Sequence, residues 1–101
     1  MKKDYKSFSE FYSFYLTEHN NKTNRRLHFV GTLLVILTAI YTLATQKWIF
    51  LILAPIFGYG FAWVGHFRIE KNKPATFDNP FYSLASDFVM FKDILIGKIK
   101  F

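Results

Sequence analysis

The chain has 101 residues, of which 51% are hydrophobic and 21% aromatic, with no cysteine and a net charge of +6. That length allows a single domain, the apolar content excludes a disordered tail, and the lack of cysteine excludes disulfides and thiolate metal sites. The basic charge alone could point to nucleic acid, but no docking motif accompanies it, and nucleic acid is not expected as a partner.

In chain order, residues 1–6 form a basic start. Ser7-Phe8-Ser9-Glu10 matches a capping box, and apolar residues at 8, 11, 12, 15 and 16 predict an amphipathic helix over 7–19. Its face is rich in aromatics (Tyr5, Phe8, Phe11, Tyr12, Tyr15), which suits a helix lying at a membrane interface. His19 continues that face by one turn. The polar segment 20–24 breaks the helix, and Thr23 or Asn24 is expected to cap the next one.

Two uncharged apolar runs follow, 27–46 and 48–67, split only by Lys47. They predict transmembrane helices over 25–45 and 48–67, since 20 apolar residues span a hydrocarbon core of roughly 30 Å. A cleaved signal peptide competes for the first run, with Arg25-Arg26 as its basic flank and Thr42-Leu43-Ala44 as a cleavage site. The run is long for a signal core, however, and begins late in the chain. Gln46-Lys47 leaves room only for a tight turn, so the second helix returns antiparallel, with Trp48 at the far interface. Pro55 is expected to kink it, and the stripe Ala54, Gly58, Ala62 to allow close helix approach. After a polar loop through Asp78, Asn79-Pro80 reads as a helix start. Apolar residues at 81, 84, 85, 88, 91, 94 and 95 predict one amphipathic face on a helix over 80–96, which Gly97 stops.

The expected fold is an all-α membrane protein in one domain, 1–101: an antiparallel two-helix transmembrane hairpin flanked by N- and C-terminal amphipathic interfacial helices. Twelve of the thirteen Lys and Arg residues lie outside the hairpin, with only Lys47 at its tip. By the positive-inside pattern both termini are cytoplasmic, and the lipid bilayer is the expected partner. A residue usage rich in Lys, Phe, Ile and Asn points to a bacterial inner membrane, or to the endoplasmic reticulum membrane in a eukaryote.

The three histidines are tied to the open end of the hairpin. His28 and His66 lie about 18 and 19 residues from the Gln46-Lys47 turn, so equal rise per residue brings them to one depth. His19 joins them only if the chain turns between 19 and 28, and segment 20–24 supplies that turn. Glu70 follows His66 by four residues, on the same face of a continuing α-helix. Alone, an interfacial histidine is a polar tip, Glu70 beside Lys71 and Lys73 a solvated charge, and Asp87 a surface acid. Together, three imidazoles and a carboxylate suit a first-row metal: His19, His28 and His66 as ligands, with Glu70 or Asp87 as a further ligand or as a partner behind an imidazole.

These residues lie in motifs that resemble a known family. Phe11-Tyr12 through His19, Asn24, and His28 with Gly31 carry the looser part. The more specific part is Gly65-His66-Phe67-Arg68-Ile69-Glu70-Lys71-Asn72-Lys73-Pro74-Ala75, followed by Asn79-Pro80 and Ser83-Leu84-Ala85-Ser86-Asp87-Phe88. The stretch is similar to the Gly-His…Glu-Lys…Pro-Ala signature of small multi-pass membrane proteins, formerly a domain of unknown function, that act as 2-hydroxy-fatty-acid dioxygenases. The resemblance implies Fe(II) held by histidines (Zn or Mn being the alternative metals), O2 as co-substrate, and conversion of a 2-hydroxy fatty acid to an acid one carbon shorter. A 2-hydroxy acid chelates iron through its carboxylate and hydroxyl oxygens. Its tail would lie along the hairpin, while Arg25, Arg26, Arg68, Lys71 and Lys73 attract its carboxylate and Tyr12, Tyr15 and Asn24 contact substrate or oxygen. The rival readings are a metal-free membrane scaffold or assembly module, a b-type haem protein using two histidines, and a zinc hydrolase.

Overall fold

The computed structural model describes residues 5–74 and 77–101. Lys2, Lys3 and Ala75, used above in the charge pattern and the motif, lie outside the described residues. The chain is all-helical over that range: α1 (Phe8–Thr17), α2 (Lys22–Thr45), α3 (Leu53–Val64) and α4 (Pro80–Leu95). α3 is the middle of a longer helical run, Trp48–Glu70, which opens with a tight 3-10 stretch, Trp48–Ile52, and closes with a wide π stretch, Gly65–Glu70.

The Ser7 hydroxyl caps α1 by accepting from the Glu10 N–H at 3.2 Å. The aromatic face of α1 does not lie outward against an interface. Phe11 and Tyr15 are buried and pack with Met90 and Ile94 of α4. Tyr12 follows them inward and donates to Asp93 at 2.7 Å. The phenols find acceptors on α4, which a lipid tail cannot offer, and that decides the direction of the face.

α2 starts earlier than its expected caps. Asn21, not Thr23 or Asn24, is the N-cap, and its side chain accepts from the Thr23 N–H at 2.8 Å. Asn24 is thereby carried into the helix and fully buried. At the other end Gln46 adopts the left-handed conformation (φ 57°) and turns the chain back. α2 and α3 then pack antiparallel. Gly31 makes the closest approach, since a Cβ there would meet the Phe57 carbonyl oxygen at 3.0 Å and the Phe61 Cβ at 3.1 Å. Gly58 sits opposite Val35 with more room, a Cβ there standing 3.4 Å from the valine methyl. Pro55 falls near the start of α3, just after the 3-10 stretch. Lacking an N–H, it cannot donate to the carbonyl of Leu51, and the run changes helix type around that gap.

α4 is amphipathic, with much of its apolar face turned outward. Its buried positions are Ser83, Ser86, Met90, Asp93 and Ile94, while Phe81, Leu84, Phe88 and Leu95 are exposed. Polar groups are turned inward and much of the apolar stripe outward. The two long helical runs behave alike: only 22% and 11% of their most apolar windows are buried inside the protein, although both are long and apolar enough to cross a membrane. A core helix of a water-soluble domain hides its apolar face, and these do not.

Candidate metal centre

His19 ends the turn after α1, His28 lies nearly two turns into α2, and His66 is the second residue of the π stretch after α3. Each arrives by a different local device. The Arg25 guanidinium donates to the carbonyls of His19 and Asn20 at 3.0 and 2.9 Å, closing the turn that brings His19 back over α2. His28 is set by the helix, four residues after Asn24. Lys71 takes the left-handed conformation (φ 57°), folding Asn72 back under His66 with its N–H on the His66 carbonyl at 2.9 Å.

The three rings are buried, 1%, 5% and 2% exposed in chain order, with centroids 4.3 to 4.9 Å apart. One ring nitrogen from each lies within 4.8 Å of the others. Each Nδ1 faces an acceptor: the Tyr15 carbonyl for His19 at 2.7 Å, the Asn24 carbonyl for His28 at 3.0 Å, and Asn72 Oδ1 for His66 at 2.7 Å. The Asn72 amide is oriented by its own NH2, which donates to the Glu18 carbonyl at 3.2 Å. A carbonyl oxygen only accepts, so every Nδ1 carries the hydrogen and every Nε2 presents a lone pair. Fixing one ring nitrogen by a hydrogen bond so that the other can bind a metal is the usual support for a histidine ligand.

The Nε2 atoms of His19 and His28 are 3.1 Å apart. In that tautomer they hold no hydrogen between them, and two lone pairs face each other in a buried site. A shared cation relieves this: two nitrogens on one ion at ~2.0–2.1 Å stand roughly 2.8–3.4 Å apart at bond angles from 90° to tetrahedral. Burial, followed by the neighbouring His28, pushes His19 down to about 2, so it stays neutral and able to ligate. The same spacing argues against a haem, whose two axial nitrogens stand roughly 4 Å apart on opposite sides of the iron.

Glu70 does not join the cluster. Its carboxylate accepts from the backbone N–H of Asn21 and so anchors the start of α2. The free backbone N–H at the start of α2 takes that carboxylate, so it is not available to the histidines. The partner behind His66 is Asn72 instead, which the sequence reading missed. Asn24 serves through its backbone carbonyl. Its amide lies against Gly65, where a Cβ would come within 1.8 Å of Oδ1, and neither amide atom has a hydrogen-bond partner among the described residues. Tyr12 is spent on Asp93, away from the histidines.

Tyr15 and Asp87 stand at the site. The Tyr15 ring stacks on His19 with centroids 4.0 Å apart, and its hydroxyl donates to Asp87. Burial raises the Asp87 carboxyl to about 7, against the opposing pull of the Tyr15 bond. A chamber of about 10 Å³ lies between them and the histidines, lined by Tyr15, His28, His66, Ser83 and Asp87 among others. That is room for one water-sized molecule. It borders a groove of about 160 Å³, with which it shares His28, Tyr59 and Asp87.

Among the cations expected to attract a carboxylate, Arg25 is engaged with carbonyls, Arg26 lies over the Phe101 ring at 5.0 Å, and Lys73 pairs with Asp78 at 3.0 Å. Arg68 and Lys71 are exposed.

The profile of one family, described as 2-hydroxy-palmitic acid dioxygenase Mpo1-like, matches residues 5–99. The chain belongs to the Mpo1-like family. No curated protein and no solved structure matches it. The matched stretch contains all three histidines as well as Tyr15, Asn72 and Asp87. The family's name is that of a dioxygenase for a 2-hydroxy fatty acid, and three buried, close histidines able to hold a metal ion accord with it.

Proposed function

We propose that this chain is an iron-dependent dioxygenase that converts 2-hydroxy fatty acids to acids one carbon shorter at the cytoplasmic face of a membrane. The observation that carries the reading is the set of three Nδ1 atoms, each facing its own acceptor, with the Nε2 atoms of His19 and His28 facing each other and a ring nitrogen of His66 within 4.8 Å of a ring nitrogen on each. Three neutral imidazoles suit Fe(II), and leave positions open for a two-oxygen ligand and for dioxygen. When bound, the ion supplies the Lewis-acid and redox chemistry for oxygen activation.

The protein's own groups do the rest. The backbone carbonyls of Tyr15 and Asn24 and the Asn72 side-chain oxygen hold the imidazoles in one tautomer and orientation, and the Tyr15 ring stacks on His19. Asp87, kept near neutrality by burial, lies where the chamber meets the groove, and offers a hydrogen bond to an oxygen of a substrate head group held there. Arg68 and Lys71 draw the carboxylate toward the mouth. The hairpin crosses the bilayer with both termini cytoplasmic, as the distribution of Lys and Arg supports.

Metal analysis of detergent-purified protein tests the site, with His28→Ala and His66→Ala beside the wild type. About one iron per chain is expected, falling to background in both variants. A wild type with no bound first-row metal, or variants that keep it in full, would remove the centre and favour a metal-free scaffold. Supplying 2-hydroxypalmitate, Fe(II) and oxygen tests the reaction, with the acid one carbon shorter as the expected product.

A further inference from the structure

The groove beside the chamber is bounded by all three long helices: Thr32 and Val35 of α2, Ala54 and Gly58 of α3, Leu84 and Phe88 of α4. Apart from His28, Thr32 and Asp87, its lining is largely apolar. From His28 to Val35 is seven residues of helix, so the groove runs about 10 Å from the histidines toward the hairpin tip. Its rim is open on one flank: Tyr59, Leu84 and Phe88 are 41%, 51% and 42% exposed. That flank belongs to the apolar surface of the two long runs, at the depth where lipid tails would lie. Gly58 widens the groove, because a Cβ there would stand against Val35 on its opposite wall and a larger side chain would take up its space.

We propose that this groove is an acyl channel open sideways to the bilayer. The substrate then enters from the membrane between α3 and α4, and Gly58 sets how long an acyl chain is accepted. The occupant is the tail of the 2-hydroxy fatty acid, an identification that rests on the reading above. It is supported by continuity: the polar end of the groove, at His28 and Asp87, is the wall of the metal chamber, so a tail in the groove places its head group at the histidines. Short acids need little of the groove, and long acids need all of it.

The test is photo-crosslinking of the whole chain in lipid nanodiscs with a 2-hydroxy fatty acid carrying a diazirine midway along its tail. Labels are expected on Val35, on residues 54–58 and on residues 84–88, and unlabelled 2-hydroxypalmitate should compete for them. Gly58→Leu should lower the labelling about tenfold or more, the scale set by steric filling of an apolar pocket. It should also lower turnover of long 2-hydroxy acids while sparing 2-hydroxybutyrate. Leu84→Trp narrows the same groove from an exposed position where folding is not at stake, and should act in the same direction. Gly60→Leu is the control, since a Cβ at Gly60 meets nothing within 4 Å. Labels on the outer faces of α2 and α3, labels joining two copies of the chain, or equal labelling in both groove variants would overturn the channel. Groove labelling in a wild type that converts no 2-hydroxy acid would sink the reaction and leave the channel standing. Turnover with labels outside the groove would do the reverse.

Discussion

The two ends of the α2–α3 pair are built on opposite rules. At the histidine end, His19, Asn24, His28 and His66 are all buried, and the ring hydrogens of the histidines each meet a named acceptor. At the tip, Ile40, Tyr41, Leu43, Trp48, Ile49 and Ile52 are all exposed, from 49% to 72%. One end is specified by protein contacts within a few tenths of an ångström. At the other, apart from the buried Thr42, most side chains are apolar and open. In a bilayer this is the expected division: lipid covers apolar surface without help from the protein, whereas polar groups must find partners inside it. Substitutions at the first end should therefore be expensive, and at the second nearly silent.

The sharpest contrast is between two glycines. Gly65→Ala puts a methyl within 1.8 Å of the Asn24 amide, in the wall of the site. It should cost about 3 kcal/mol through overpacking, read as a lower Tm in detergent. Gly60→Ala has open space and should be neutral or stabilising by up to about 1 kcal/mol. Equal losses in the two would break the comparison.

Removing the partner behind a ligand should have the next largest effect. Asn72→Ala frees the His66 ring and should weaken metal affinity by roughly 10–100-fold with the fold intact, measured by metal titration.

A smaller effect follows pH. The Asp87 carboxyl sits at about 7 in the folded chain against 3.8 ordinarily. Between those values the folded chain holds a proton that the unfolded chain has lost, so this group's contribution to stability falls as pH rises through the window and is level above it. Asparagine stands in for the neutral acid. Asp87→Asn should match the wild type near pH 4 and become progressively more stable than it toward pH 8. An unchanging difference in Tm across that range would contradict the assignment.

The smallest effect belongs to the tip. Leu43→Ala removes a side chain that is 65% exposed and should change stability by less than about 0.5 kcal/mol, with metal content unchanged.

The sequence discloses the histidine end better than its supports. His28 and His66 are found by counting outward from the turn, because helical rise is uniform. His19 follows from the break at 20–24. Glu70 misleads because sharing a helix face with His66 does not fix its partner: the free N–H of Asn21, 49 residues away in the chain, takes its carboxylate. Asn72 is hidden for a related reason: it returns to His66 only because Lys71 adopts a left-handed backbone, a conformation that lysine rarely advertises. The direction of the α4 stripe is illegible for a different reason. Period 3.6 shows that a helix has two faces, but not whether protein or lipid covers the apolar one.

The central claim is that three Nε2 atoms share one ion, and X-ray absorption at the iron edge of Fe(II)-loaded protein tests it most directly. The account expects one iron per chain with three imidazole nitrogens at about 2.0–2.2 Å, and His19→Ala should remove one ring from the signal or abolish binding. An iron with no imidazole in its first coordination sphere, or an unchanged spectrum in His19→Ala, would contradict it.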